Sequence, residues 1–77
     1  MRIAVLTDSN RFDQFIKHYK LKKDSLKCLN RVTDIDGYKF DYFVPIHTHL
    51  DLSDLIYRLR RLGVEEINIE KLTELCA

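Results

Sequence analysis

Glycine and proline are scarce in this chain, with two Gly and one Pro among 77 residues. So few backbone breakers argue against a disordered, linker-rich or low-complexity chain. No sign of charge dominates: thirteen Lys and Arg face twelve Asp and Glu, for a net charge of +1. No overall field therefore draws the chain to nucleic acid or to a membrane. Cysteine is limited to Cys28 and Cys76, too few for a disulfide framework. Both read as small apolar filler with reduced thiols. Several catalytic signatures are missing. There is no Cys-x-x-Cys, no Gly-x-Gly-x-x-Gly, no Gly-Lys-Ser/Thr and no serine in a nucleophile elbow. The opening run Met1 to Asp8 turns polar after a few apolar residues, unlike a secretory signal or a membrane span. These features lead us to expect a soluble cytoplasmic protein, with no membrane partner and no cofactor.

What remains is the composition of an ordinary folded domain, 45% hydrophobic and 32% charged. Residues 1–77 form a single domain on length alone. A chain this short buries only about 60–65% of its unfolded surface, so self-association is expected to supplement its stability.

The stretch Phe40 to Ile46 organises the rest. Its aromatic and β-branched residues predict a strand. Successive strand side chains point to opposite faces, so apolar residues at both parities imply a strand covered on both sides. Ile3-Ala4-Val5-Leu6 has the same character. Thr7 to Asn10 are turn and cap formers, followed by Phe12, Phe15, Ile16 and Tyr19 at helical spacing; a helix is predicted over 11–20. Leu26 to Val32 carries lysine and reads as an edge strand. Asp34 to Gly37 is a turn signal. Leu52, Leu55, Ile56, Leu59 and Leu62 predict a second helix, with Asp51 or Ser53 as its cap and Gly63 just past its end. Val64 to Glu70 alternates and predicts a final edge strand, and Leu72 and Leu75 mark one more helical turn.

Strand, helix, strand, strand, helix, strand fits two folds. One is a small α/β fold with a mainly parallel four-stranded sheet, order 2-1-3-4, and helices on both faces. The alternative is a ferredoxin-like α+β fold, in which Asp36-Gly37 closes a hairpin. Two strands buried on both faces favour the parallel form.

In a parallel sheet, ligands bind beyond the carboxyl ends of the strands where the order reverses. That places Thr7 to Asn10 opposite His47, Thr48, His49 and Asp51. His47 and His49 with Asp8 are a candidate metal or hydrolytic set of imidazole and carboxylate ligands, against the blander reading of two surface loop histidines. Asp8-Ser9-Asn10 read as a helix cap before a phosphate site, because no glycine lets a phosphate approach the backbone. A second candidate is a nucleic-acid patch of Lys17, Lys20, Lys22, Lys23, Lys27 and Arg31. Its competitor is a solvated helix end. The third is a subunit contact through Leu72, Leu75, Ile67 and Ile69 on the last edge strand and tail.

Arg31 to Gly37 leading into Phe40 to Val44 resembles small α/β proteins of phages and prophages, and the same half of the chain is similar to part of a nucleotide-hydrolase sheet. The resemblance implies a parallel sheet and a phage or mobile-element setting. The phosphate loop of those hydrolases is missing here, so no catalytic role follows from it. The leading expectation is a small non-enzymatic interaction or regulatory protein that self-associates, ahead of nucleic-acid binding and of chemistry at His47 and His49.

Overall fold

The computed structural model describes residues 1–35 and 37–76. Four strands, β1 (Ile3–Leu6), β2 (Leu26–Leu29), β3 (Tyr42–Pro45) and β4 (Glu65–Glu66), form one sheet in the order β2-β1-β3-β4. Every pairing is parallel: Ile3 lies against Leu26 on one side and Tyr42 on the other, and Tyr42 lies against Glu65. The helices are α1 (Ser9–Tyr19), α2 (Ser53–Arg61) and α3 (Ile69–Cys76). The small parallel α/β architecture is therefore present, and β1 separates the two strands that a ferredoxin-like hairpin would join.

Alternation along the inner strands builds two cores. Ile3, Val5 and Val44 pack with Phe12, Phe15 and Ile16 of α1 and Leu72 and Cys76 of α3. Ala4, Leu6 and Phe43 face the other way, onto Leu55 and Leu59 of α2 with Leu29, Ile35 and Phe40. All four residues of β1 are fully buried. The Asp-Gly signal does not make a hairpin: β1 lies between β2 and β3, and Ile35 and Phe40 of the connection pack on the α2 side of the sheet. The connection's 3-10 turn (Val32–Ile35) contributes Ile35 to that core. Gly37 has φ +81° after this turn, and Asp36 of the same signal lies outside the described residues.

Helix ends explain the remaining boundaries. The Asp8 carboxylate accepts the Arg11 N–H, so α1 starts two residues before the predicted start. Lys20 turns left-handed (φ 53°), and buried Leu21 folds back to donate to the Ile16 carbonyl, 3.1 Å. Tyr19, expected on the buried stripe, is 40% exposed and packs on the Phe15 ring at a tilt of 54°. Past α2, Gly63 takes φ +79°, as the glycine after a helix end does.

The last strand is a correction. Only Glu65 and Glu66 pair, and the expected strand over 64–70 gives way to α3. Ile67 and Ile69 satisfy a two-residue period, but Ile69, Leu72 and Cys76 also satisfy a helical one. Asn68 decides between them, since its side-chain oxygen accepts the Lys71 N–H at 2.8 Å and caps the helix.

Leu72 fills the core beneath α3 and has no exposed surface. Leu72→Ala is expected to cost about 2–5 kcal/mol, as buried leucine truncations do. The urea midpoint should fall at unchanged slope; a change within about 0.5 kcal/mol, the range of surface substitutions, would contradict this placement.

Candidate functional site

The carboxyl rim between β1 and β3 is where the sheet order reverses. Both predicted loops meet there. Ile46 N–H donates to the Leu6 carbonyl at 3.2 Å and so extends the β1–β3 ladder to the loop itself. Thr7 is fully buried, and its hydroxyl donates to the His47 carbonyl at 3.4 Å. Across the rim, the Thr48 hydroxyl donates to Asp8 Oδ2 at 2.8 Å while accepting the Leu50 N–H at 3.3 Å. Arg11 adds two further donors to Asp8, through its N–H to Oδ1 (2.9 Å) and its Nε to Oδ2 (3.2 Å).

This network holds Asp8 below the ordinary carboxylate range. The Arg11 backbone N–H is the largest cause, opposed by partial desolvation; the Thr48 hydroxyl and the Arg11 charge add to the lowering. Asp51 is also lowered, because the Ser53 hydroxyl and N–H both donate to its Oδ1, at 2.7 and 3.0 Å. That carboxylate sets the turn into α2. Cys28 donates its thiol to the Thr7 carbonyl at 3.2 Å. Burial pushes both Cys28 and Cys76 up, so neither is a ready thiolate nucleophile near neutral pH.

The chemistry of the rim is thus mostly self-satisfied. Asp8, Asn10, Arg11, Gln14 and His49 line a concavity of about 220 Å³. Ligand pockets are typically roughly 300–1,000 Å³. His49 stands beside Asp8, whereas His47 lies outside that lining and is exposed. Among the described residues, no group of three or more His, Cys, Asp or Glu side chains is disposed to hold a metal ion. Of the expected His47–His49–Asp8 set, the fold brings Asp8 and His49 to one concavity, with Thr48 and Arg11 hydrogen-bonded to the carboxylate. The Asp8 cap likewise occupies an amide that a phosphate would need.

The predicted basic patch is divided by the fold. Lys17 and Lys20 lie at the end of α1, and Lys22 and Lys23 lead into β2. Arg31 follows β2 and so sits at the opposite rim, where its N–H caps onto Asp34 at 3.1 Å. Lys23 pairs with Asp13 at 3.5 Å. Lys27 reaches across to place Nζ 4.1 Å from the centre of the Tyr38 ring. Sequence reasoning missed Arg2, Tyr38 and Lys39 beside it. Residues that immediately precede strands of a parallel sheet share its amino rim, and that rule would have grouped them.

The expected contact residues of the tail are largely enclosed. Leu72 and Ile67 lie inside the chain's own core, at 0% and 7% exposure, while Ile69 and Leu75 are half-buried against it. The larger exposed apolar surface is elsewhere, at Tyr57, Leu62 and Val32, on α2 and the 3-10 turn next to it. No helix among the described residues is long and apolar enough to cross a membrane.

A carboxyl with a lowered folded-state pKa stabilises fully above its unfolded value, about 3.9. That stabilisation is lost as pH falls through the lowered folded value. An NMR titration of the Asp8 carboxyl should give a midpoint below the ordinary range and, in Thr48→Val, one closer to it. Identical midpoints in the two proteins would remove the Thr48 hydrogen bond from this account.

Compared with known proteins, the chain matches no family model, no curated protein and no solved structure.

Proposed function

We propose that the protein is a small non-enzymatic interaction protein that works as a homodimer, paired through the outer face of α2. The observation that carries this reading is a stripe that is complementary to itself. Leu55 and Leu59 turn one face of α2 into the core. Asp54, Tyr57, Arg58 and Arg61 occupy the opposite face at positions i, i+3, i+4 and i+7, which are neighbours on a helix surface. With Val32 and Leu62 they line one open groove of about 570 Å³. Tyr57 is 62% exposed and Leu62 57%, more than any other large apolar side chains on this surface.

Two such helices related by a twofold axis run antiparallel, with the axis between Tyr57 and Arg58. Asp54 then meets Arg61 of the partner subunit, and Tyr57 meets Arg58 of the partner subunit, each pair occurring twice. A parallel arrangement would stack like charges instead. Twofold interfaces require this self-complementarity. Tyrosine and arginine are also the residues that most often anchor an interface. Within one chain, Arg61 already lies over the Tyr57 ring, 5.8 Å from its centre, and donates to its hydroxyl at 3.1 Å. The stripe is thus partly ordered before a partner arrives.

Light scattering at micromolar concentration should give twice the 9.2 kDa chain mass. Asp54→Arg and Arg61→Asp should each weaken the dimer about tenfold or more, since facing like charges are strongly unfavourable. Placing both changes in one chain restores opposite charges across the axis and should restore the dimer. A wild-type monomer at high micromolar concentration, or a double variant no better than the singles, would overturn the proposal.

A further inference from the structure

We infer a second binding site: the amino rim of the sheet takes a single-stranded nucleic acid, with Tyr38 as the platform for an unpaired base. All four strands are parallel, so the segments entering them gather at one rim. Arg2 enters β1, Lys22 and Lys23 lead to β2, and Lys39 leads to β3. Lys27, the second residue of β2, adds a further cation. The net charge of +1 conceals this concentration, because the capping carboxylates Asp8 and Asp51 lie at the carboxyl rim.

Beside two of these cations, Arg2 and Lys27, stands an aromatic ring, while Lys23 lies over Phe12 on the α1 side. Tyr38 is 42% exposed and stacks at 27° on the buried Phe40, with ring centres 6.0 Å apart. Phe40 thereby fixes the platform to the core. The Arg2 guanidinium lies 5.1 Å and the Lys27 ammonium 4.1 Å from the Tyr38 ring centre. Together with Asp24, Ser25 and Leu26 these residues enclose a concavity of about 280 Å³. Acids share this rim: Asp24 lines the concavity, Asp41 accepts the Arg2 backbone N–H at 3.0 Å, Asp13 pairs with Lys23 and Glu66 with Arg60.

An exposed aromatic flanked by flexible cations is how proteins hold single strands: bases stack on the ring and cations track the phosphates. A base arriving at Tyr38 displaces the Lys27 ammonium, which then reaches a flanking phosphate through its long stem. A duplex offers phosphates but keeps its base faces stacked, so the platform selects unpaired strands. Inorganic polyphosphate offers charge with no base at all. The inference rests on Tyr38, Arg2 and Lys27 rather than on the α2 pairing, although Leu62 of the α2 groove also lines a neighbouring concavity with Tyr38.

Fluorescence anisotropy with a short labelled oligothymidylate tests it, in low salt and with increasing salt. Saturable binding is expected, with the logarithm of affinity falling against log salt at a slope of about −2 to −3, as for three or four phosphate contacts on a single strand. Tyr38→Leu should weaken binding about tenfold, while Tyr38→Phe, which keeps the ring, should leave it unchanged. Lys22→Glu with Lys23→Glu should flatten the salt slope. These positions are exposed, and circular dichroism confirms that the variants fold. Absence of binding at low salt overturns the inference. So does equal affinity for duplex or polyphosphate, or indifference to Tyr38→Leu. Asp54→Arg, which breaks the proposed dimer, should leave the Tyr38 dependence in place.

Discussion

Burial of β1 on every side is the constraint on which the rest of this molecule depends. Its four residues have no exposed surface, and its backbone is bonded to β2 on one edge and β3 on the other. A strand in that position needs a helical layer above and below. α1 and α3 supply one through Phe12, Phe15 and Leu72; α2 supplies the other through Leu55 and Leu59. The loops at both ends of β1 are thereby pinned to their neighbours. Thr7 joins Leu29 and His47 at one end, and the Arg2 carbonyl accepts the Asp41 N–H at 2.9 Å at the other.

The same geometry separates charge by rim. α1 and α2 both run antiparallel to the strands, so their starts lie at the carboxyl rim and their ends at the amino rim. Helix starts attract carboxylates and helix ends attract cations. Asp8 and Asp51 accordingly sit at the first rim, while Lys17, Lys20, Arg58, Arg60 and Arg61 lie toward the second. Arg60 is drawn into an ion pair with Glu66 at 2.7 Å, but much of the remaining positive charge faces outward. The short β4 contributes to order at the margin: its exposed pair, Glu65 and Glu66, discourages another strand from docking there.

The topology was legible because two strands are apolar at both parities, a pattern that only a sheet covered on both faces accommodates. From it followed the convergence of the Asp8 and His47 loops. The fate of Asp8 was not legible. It depends on the register that sets Leu6 beside Pro45, and so on how closely Thr48 approaches. Local spacing also misled at the end of the chain, where Ile67 and Ile69 serve strand and helix periods equally well and a single cap, Asn68, decides. The basic cluster shows the converse limit. Lys17 to Lys27 are contiguous in sequence, yet the rim they help build is completed by Arg2 and Lys39, which only the parallel sheet brings near.

The pairing pattern has a further consequence, for synthesis. Ile3 belongs to an inner strand, but its partners Leu26 and Tyr42 leave the ribosome later. β1 therefore waits for both of its neighbours, and β3 in turn waits for Glu65 and Glu66 of β4. A nascent chain halted before Tyr42 carries one unpaired edge of its most apolar strand, the kind of exposed edge to which other chains adhere.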